Sequence, residues 1–307
     1  MKKKILFITP SIYPQVTGGT EVFNYYLIQE LGKEFDVSYL NVNAEGNEND
    51  LKEAKRITIR NTSQIFQLAQ MIIYLFKFRN SYNLIWTSFS RTAWYYIIIY
   101  PILNLLFSKE YIIVIHGGGM MPWKFKLPYQ VYFKRAKAVV GVSDTICKEY
   151  EKRTGIKIIH IPPLIPFKKA IYSKEILRDK YKIDGNRKVF LYVGSIKKLK
   201  RPEVIVKSII NLGKKYLAKH NILMLFAGDG ILKDELIDYS QTEGVDDYFE
   251  FKGNVPREQI NEYYKMSDFY IISSDFEGTP ISMLEAMFNK LPIIASNVKG
   301  INSVINN

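Results

Sequence analysis

The chain has 307 residues, enough for two domains of ordinary size, and its 47% hydrophobic content excludes a disordered protein. A single cysteine, Cys147, excludes an internal disulfide and favours a reducing, cytoplasmic location. The net charge of +13 fits an anionic partner, and a generally basic soluble protein is the alternative. Nucleic acid is not expected, because no segment interleaves Lys and Arg with aromatic residues. A phosphate-bearing ligand and an anionic membrane surface both fit the charge.

The first half of the chain alternates strand-like and helix-like segments. MKKKILFITP is interpreted as a first strand and not as a signal peptide, because its apolar run is short and no cleavage site follows. The alternation predicts a parallel sheet with helices on both faces, in a domain of residues 1–165. The predicted strands are KILFIT, DVSYLNV, LIWTS, YIIVIH and AVVGVS, with helices near 20–32, 64–79, 92–107, 124–136 and 144–153.

Residues 92–107, TAWYYIIIYPILNLLF, form the most apolar stretch. A membrane-spanning helix needs about 20 apolar residues. This run is shorter and contains Pro101 and Asn104. The sequence therefore predicts a buried helix of the first domain, and a helix that dips into a membrane surface is the alternative.

Two places in the first domain are candidates for ligand contact. Gly18–Gly19 precedes a helix after the first strand, where backbone N–H groups favour anions; a helix entry that needs only glycine flexibility is the alternative. His116 ends the strand YIIVIH beside Gly117, at the edge of the sheet where ligands bind. His160 and His220 lack such a setting. No spacing of His, Cys, Asp and Glu predicts a metal site.

Residues 166–187 begin next to a cluster of prolines and continue as a charged stretch, which predicts a linker. A second alternating series then predicts another doubly wound domain, residues 188–307, and a ligand cleft between the two domains. Its predicted strands are VFLYVG, ILMLFAG, YFEFKG, FYIIS and PIIAS, with helices near 202–217, 231–243, 257–266 and 281–289.

Charged residues follow two of these strands. Lys200 and Arg201 come after VFLYVG, near a helix start at Pro202, where two cations could hold a diphosphate; a solvated basic loop is the alternative. The segment SSDFEGTPISMLEAMFNKLPIIAS predicts a strand, a loop, a helix and a strand. It places Glu277 in the loop and Glu285 on the helix, which indicates a site for a ligand with hydroxyl and phosphate groups.

The motifs GGTEVFNYYLIQEL, IHGGG, VGSIKKLKRPE, FAGDGILKDEL, FKGNVPREQINEYYKMSDFYIISS and EGTPISMLE occur in one order along the chain. In that order the chain resembles the retaining GT-B glycosyltransferases of family 4, or glycosyl transferases group 1, from the first strand to about residue 300. The resemblance implies an α/β fold of two Rossmann-like domains facing a cleft. It implies transfer of a sugar from a nucleotide sugar to a glycan or lipid-linked acceptor, with retention of the anomeric configuration. The implied reaction requires no metal, and the implied enzyme is cytoplasmic and peripheral to the inner face of the membrane.

The resemblance also implies roles for individual residues. Glu285 hydrogen-bonds the ribose hydroxyls, and Glu277 is a catalytic acid near the donor sugar. Lys200 neutralises the diphosphate as it leaves. His116 contacts the donor sugar as a second catalytic residue, and Gly19 lets the phosphates approach the backbone. The other implied donor contacts are backbone groups at Gly278, Thr279 and Ile281, backbone at Asn254 and Val255 beside the base, and Arg201 on the phosphates.

The chain departs from the family pattern at three places. One is the helix end Phe288-Asn289-Lys290, where the family has small residues. Ser195 stands where the family has an arginine after the glycine of its turn, and whether Arg201 substitutes is open. The sequence ends at GINSVINN, where family members continue, so we expect an incomplete second domain. These departures leave an alternative function, a truncated or degenerate relative that binds a nucleotide sugar without turnover.

Overall fold

The computed structural model consists of two compact units, residues 1–165 and 166–307. The described residues are 2–9, 12–13, 18–41, 51–58, 64–89, 104–105, 108–117, 126–163 and 166–305.

The first unit is built on a seven-stranded sheet whose strands all run parallel, in the order β3-β2-β1-β4-β5-β6-β7. Its strands are β1 (Lys4–Thr9), β2 (Asp36–Asn41), β3 (Ala54–Thr58), β4 (Leu84–Phe89), β5 (Glu110–Ile115), β6 (Ala138–Gly141) and β7 (Ile159–His160). The helices with described bounds are α1 (Gly19–Glu34), α2 (Gln64–Lys77), α3 (Lys126–Arg135) and α4 (Asp144–Thr154).

Strand β1 shows why helices cover both faces of this sheet. Successive side chains of a strand point to opposite faces. Leu6 and Ile8 belong to one buried apolar cluster, whereas Ile5 and Phe7 belong to another. Both faces are therefore apolar and buried, as in doubly wound parallel sheets. The predicted doubly wound fold is confirmed here.

The second unit contains a five-stranded parallel sheet in the order β10-β9-β8-β11-β12. Its strands are β8 (Lys188–Val193), β9 (Ile222–Ala227), β10 (Phe249–Phe251), β11 (Phe269–Ile272) and β12 (Ile293–Ala295). Its helices are α5 (Lys174–Lys180), α6 (Pro202–Lys219), α7 (Lys233–Thr242), α8 (Ile260–Met266), α9 (Ile281–Phe288) and α10 (Lys299–Asn302).

The second sheet is also buried on both faces. In β9, Leu223 and Leu225 pack into one apolar cluster, and Met224 and Phe226 into the other. This alternation repeats the arrangement of β1 in the first unit. Each unit therefore has the α/β, doubly wound architecture that the sequence predicts.

Residues 166–187 differ from the predicted linker, because they carry helix α5. Leu177 of this helix is fully buried in a core cluster of the second unit. Lys174 and Arg178 bind the two carboxylate oxygens of Asp268, at 2.5 and 2.7 Å. The segment is therefore part of the second unit, to which Lys174 and Arg178 tie it through the carboxylate of Asp268.

Other differences concern short elements. The polar edge strand β3 and the helix α10 were not predicted from the sequence. The apolar run 92–107, predicted as a buried helix, lies outside the described residues except for Asn104 and Leu105. None of the helices in the described ranges is long and apolar enough to cross a membrane.

Candidate functional site

The order of the second sheet reverses between the neighbouring strands β8 and β11. In open α/β sheets the loops on either side of such a reversal leave a crevice at the carboxyl ends of the strands, where ligands bind. The loop after β8, residues 194–201, carries Lys200 and Arg201. The loop after β11, residues 273–280, carries Glu277, Gly278 and Thr279. The topology therefore brings most of the predicted donor-binding residues to one crevice.

Lys200 and Glu277 form an ion pair between these two loops. The Nζ atom of Lys200 lies 2.6 Å from Oε1 of Glu277, and the two side chains are 26% and 8% exposed. Ser274 is fully buried, and its Oγ donates a hydrogen bond of 2.5 Å to the same Oε1 atom. Charges with so little solvent around them are weakly screened. The crevice therefore holds a cation and an anion in direct contact.

Arg201 lies beside Lys200 but points its guanidinium group at other carboxylates. Its Nη1 lies 2.8 Å from Asp275, and its Nε lies 2.7 Å from Glu203. Its backbone is left-handed, with φ 50° and ψ 43°, which costs a non-glycine residue about 1–2 kcal/mol. The hydroxyl of Ser273 lies 2.7 Å from the carbonyl oxygen of Arg201 and steadies this turn. A phosphate contact by Arg201 would compete with both carboxylates.

Glu285 is the other acid of the site and is 2% exposed. It lies on helix α9, which follows the Glu277 loop. The hydroxyl of Tyr264 donates to its Oε2 atom at 2.9 Å, and the guanidinium group of Arg257 contacts its Oε1 atom. Both partners come from the segment between β10 and β11. The carboxylate is therefore held by a cation and a hydroxyl group in a nearly dry place.

Burial raises the pKa of Glu285 above its usual range, and the contacts with Arg257 and Tyr264 act in the opposite direction. Burial also raises the pKa of Tyr264 well above its usual value. Tyr264 is consequently protonated at neutral pH, and its hydroxyl group donates a hydrogen bond to Glu285. Arg257 supplies the positive charge that favours the ionised carboxylate.

Gly300 of helix α10 packs directly against the Glu277 loop. A Cβ atom at Gly300 would lie 1.9 Å from the carbonyl oxygen of Glu277 and 2.8 Å from that of Gly278. Such distances exclude any side chain without a backbone shift. Glycine at this position therefore lets α10 support the loop that carries Glu277, Gly278 and Thr279.

Val255 belongs to the loop after β10, at the same edge of the sheet. Its half-buried side chain packs against the core, so its backbone is the group that a ligand could contact. An isolated pairing of Gly228 with Gly253 joins this loop to the loop after β9. Asn254 is exposed beside it.

His116 of the first unit follows the last residue of β5. Its ring packs edge-on against Phe23 of α1, with 4.9 Å between ring centroids. Burial lowers the pKa of His116 to about 3, so its imidazole is neutral at physiological pH. Its buried Nε2 atom has no hydrogen-bond partner among the described residues. A buried polar atom of this kind is a candidate for contact with a ligand.

Gly19 is the first residue of α1, and Gly18 is its N-cap. The buried side chain of Asn24 on this helix donates from Nδ2 to Thr9 Oγ1 at 2.9 Å and to Ser88 Oγ at 3.0 Å. Thr9 ends β1, and Ser88 lies near the end of β4. The order of the first sheet reverses between these two strands. Asn24 thus fixes the amino-terminal part of α1 at the ligand-binding edge of the first sheet.

Among the described residues, no group of three or more His, Cys, Asp and Glu side chains is arranged to hold a metal ion. The charged groups at the crevice of the second unit are instead arranged as pairs of opposite sign. Two of these pairs, Lys200–Glu277 and Arg257–Glu285, each contain a nearly buried carboxylate.

Residues 173–307 match the family described as Glycosyl transferases group 1. One relative is an uncharacterized glycosyltransferase of Methanocaldococcus jannaschii, 30% identical over 123 residues, which is 40% of this chain and 30% of the relative. Another is the Escherichia coli UDP-Gal:alpha-D-GlcNAc-diphosphoundecaprenol alpha-1,3-galactosyltransferase, 26% identical over 271 residues, which is 81% of this chain and 66% of the relative. The chain thus spans less than two thirds of these curated relatives.

Two solved structures resemble the whole chain. A glycosyltransferase from Rickettsia africae superposes with a TM-score of 0.78 at 20% identity, over 100% of this chain and 82% of that one. Anabaena HepE, solved in complex with UDP, gives a TM-score of 0.76 at 16% identity, over 99% of this chain and 83% of that one. At such identities the likeness shows a shared fold, and this fold confirms the GT-B prediction.

Several residues of the site were missed by sequence reasoning: Ser274, Arg257, Tyr264, Gly300 and Asn24. Ser274 could have been noticed as a hydroxyl group three residues before Glu277 at a strand end. Arg257 and Tyr264 stand 28 and 21 residues before Glu285 by their numbering. No local pattern relates them to it.

Proposed function

We propose that the chain transfers a sugar from a nucleotide-sugar donor to a glycan or lipid-linked acceptor, because residues 173–307 match the family described as Glycosyl transferases group 1. The observation that carries the proposal is the Lys200–Glu277 pair at the reversal of the second sheet, with Glu285 on the helix that follows. This crevice presents a cation for a diphosphate and two carboxylates for hydroxyl groups.

We assign the nucleotide end of the donor to Glu285 and its surroundings. A carboxylate can accept hydrogen bonds from both hydroxyl groups of a ribose. Arg257 and Tyr264 each hold one oxygen of Glu285. Each oxygen keeps a further lone pair for a ligand hydroxyl. The backbone at Asn254 and Val255 borders the base in this assignment.

The diphosphate and the sugar are assigned to the Lys200–Glu277 pair and its loop. Cleavage of the bond between the sugar and the diphosphate leaves negative charge on the phosphate and positive charge near the anomeric carbon. The ammonium group of Lys200 stabilises the first charge and the carboxylate of Glu277 the second. Backbone N–H groups at Gly278, Thr279 and Ile281 are assigned to sugar or phosphate.

In the first unit, Gly19 and His116 are assigned to the donor. Gly19 opens α1, where backbone N–H groups attract anions. The neutral imidazole of His116, with its unpartnered Nε2, can exchange hydrogen bonds with a sugar hydroxyl without adding charge. Arg201 remains a candidate second phosphate cation. Its bonds to Asp275 and Glu203 reduce its availability.

The reaction is proposed to retain the anomeric configuration and to need no metal. Lys200 supplies the positive charge that a divalent cation supplies to a leaving diphosphate in other sites. Two measurements test these points. Proton NMR of the first product should show the anomeric configuration of the donor, and excess EDTA should leave the initial rate unchanged. An inverted product, or loss of activity restored by a divalent cation, would refute the corresponding point.

The acceptor is proposed to be a glycan precursor linked to a lipid, with the protein in the cytoplasm at the inner face of the membrane. The E. coli relative is named for a diphosphoundecaprenol acceptor. The net charge of +13 favours an anionic lipid surface. Liposomes rich in phosphatidylglycerol should co-sediment the protein at low salt, and binding should decline as salt rises. Absence of binding at low salt would refute the membrane association.

A panel of donors separates the enzyme from a protein that only binds nucleotide sugars. The purified protein is incubated with UDP-, GDP- and ADP-sugars and a lipid-linked acceptor, and release of nucleoside diphosphate is measured together with thermal unfolding. We expect release with at least one donor. A donor that raises the unfolding temperature without release from any donor would support the binding protein instead.

A further inference from the structure

Ser274 is a buried hydroxyl group with no part in the roles assigned so far. It is the second residue after β11 and is fully buried. Its Oγ atom donates to Oε1 of Glu277 at 2.5 Å. A hydrogen bond from a hydroxyl group to an ionised carboxylate is short and stronger than one between neutral groups. Ser274 is therefore a strong restraint on the orientation of Glu277.

Two donors converge on a single oxygen of Glu277. Lys200 Nζ lies 2.6 Å from Oε1, and Ser274 Oγ lies 2.5 Å from it. A carboxylate oxygen has two lone pairs, so these donors occupy Oε1. Within the described part of the chain, the structure gives Oε2 no hydrogen-bond donor. The arrangement thus fixes one oxygen and leaves the other for a ligand.

Ser274 is itself held by a hydrogen bond from Ser296, the residue that follows strand β12. The hydroxyl of Ser296 donates to the carbonyl oxygen of Ser274 at 2.6 Å, and the backbone N–H of Ser296 donates to Ile272 at 2.9 Å. Gly300 packs against the carbonyl oxygen of Glu277. The backbone that carries Ser274 and Glu277 is therefore supported at two points.

Lys200 and Ser274, which both hold Glu277, respond differently when a nucleotide sugar binds. Lys200 is a cation on a flexible side chain, and the charges of a diphosphate attract it away from a single carboxylate. Ser274 is neutral, buried and anchored, so a diphosphate does not compete for it. Once Lys200 has moved toward the phosphates, Ser274 is the remaining hydrogen-bond donor on Oε1 among the described residues.

We propose that Ser274 is a positioning residue of the transfer reaction, which keeps Oε2 of Glu277 directed at the donor sugar after Lys200 has moved to the diphosphate. The inference rests on the function proposed above. It predicts that loss of Ser274 changes the rate of transfer but not the binding of the nucleotide. Loss of a purely structural serine would change both. Orientation of Glu277 affects the transfer step, whereas the nucleotide is bound mainly at Glu285.

The first test compares Ser274→Ala with a matched control, Ser240→Ala. Ser240 is also buried and donates one hydrogen bond, to Ile237 at 2.7 Å, on helix α7. We expect Ser274→Ala to lower kcat about 10- to 100-fold, because a hydrogen bond to a charged group is lost. Its Kd for the nucleoside diphosphate should stay within about twofold. Ser240→Ala should change neither quantity.

The second test needs no turnover. Thermal unfolding is measured without ligand for wild type, Ser274→Ala, Glu277→Ala and the double variant. We expect Ser274→Ala to lower Tm by several degrees in the wild type and by about 1 °C or less beside Glu277→Ala, because the contact exists only when both residues are present. Ser274→Cys, which keeps the size of the side chain, should lower kcat as Ser274→Ala does.

An unchanged kcat in Ser274→Ala would overturn the inference, as would equal Tm losses in both backgrounds. If the wild type turns over no donor, the proposed function fails and the inference about transfer falls with it. A wild type that is active while Ser274 and Glu277 are uncoupled in the thermal cycle contradicts the inference alone. The two failures are thereby distinguishable.

Discussion

Lys200 and Glu277 are 77 residues apart in the sequence and meet at the carboxyl ends of the neighbouring strands β8 and β11, with Nζ 2.6 Å from Oε1. Each follows one of the two strands between which the sheet order reverses. The pair is balanced in charge before any ligand binds. A diphosphate must therefore share Lys200 with Glu277, and this competition relates nucleotide binding to the state of the acid.

Replacement of Lys200 tests the assignment of the diphosphate. Lys200→Met keeps most of the length of the side chain and removes its charge. We expect kcat to fall about 100-fold or more, because the charge on the leaving group is no longer stabilised. Stopped assays of nucleoside diphosphate release measure this. Lys180→Met is a matched control, since Lys180 pairs with Glu262 on the surface. Equal activity of the two variants would contradict the assignment.

Replacement of Glu285 tests the assignment of the ribose. Glu285→Gln should weaken the binding of a nucleoside diphosphate about tenfold or more, because two hydroxyl groups lose a charged acceptor and Arg257 loses its partner. Isothermal titration calorimetry with UDP, GDP and ADP measures this. Glu262→Gln removes a charge that pairs with Lys180 and should leave the affinity unchanged. Unaltered affinity in Glu285→Gln would remove the ribose assignment.

The raised pKa of Glu285 predicts a pH dependence of binding. The folded protein holds a proton on Glu285 at higher pH than an ordinary glutamate would. Affinity for a nucleoside diphosphate should therefore decline as pH falls through this raised pKa, because a protonated carboxyl group is a poorer acceptor. Titration of the phosphates contributes as well, so the comparison is with Glu285→Gln. A pH profile that is identical in the two proteins would contradict the prediction.

Asp268 tests whether the segment 166–187 is part of the second unit. Burial tends to raise the pKa of Asp268, but hydrogen bonds from Lys174 and the backbone of Val189 and the charges of Lys174 and Arg178 lower it overall. Asp268→Asn should reduce the free energy of unfolding by about 2–3 kcal/mol. Asp275→Asn, at a more exposed pair with Arg201, should reduce it by about 1 kcal/mol or less.

Chemical unfolding at several pH values completes this test. Because the pKa of Asp268 is lowered, its contribution is present at neutral pH and is lost as pH falls through its folded pKa, below about 4. The stability difference between wild type and Asp268→Asn should shrink over that range. A constant difference, or equal effects of the Asp268 and Asp275 variants, would mean that helix α5 is not held by this carboxylate.

The central strands of both sheets could be predicted because each is a short apolar run between turn signals. Strand β9, ILMLFA, is buried at every position, as a central parallel strand should be. The edge strand β3, AKRIT, was missed because an edge strand is partly exposed and carries charge. Helix α5 was missed because its burial depends on Asp268, which lies 90 residues beyond Arg178.

The candidate site was predictable where its residues stand close in sequence or follow strands. Glu277 and Glu285 belong to one segment, and Lys200 follows a strand that neighbours β11. The partners Arg257 and Tyr264 were not predictable, because their contacts with Glu285 depend on how α8 packs beside α9. The close approach of Gly300, which has no Cβ atom, to Glu277 likewise depends on tertiary packing.

The most direct test of the proposed chemistry compares how Glu277 and Glu285 affect turnover and nucleotide binding. In Glu277→Gln, we predict that kcat for nucleoside diphosphate release falls at least about 100-fold, while the nucleoside diphosphate binds at least as tightly as to wild type, because Glu277 no longer competes for Lys200. A Glu277→Gln protein that keeps full turnover, or that loses nucleotide affinity as Glu285→Gln is expected to, would contradict the account.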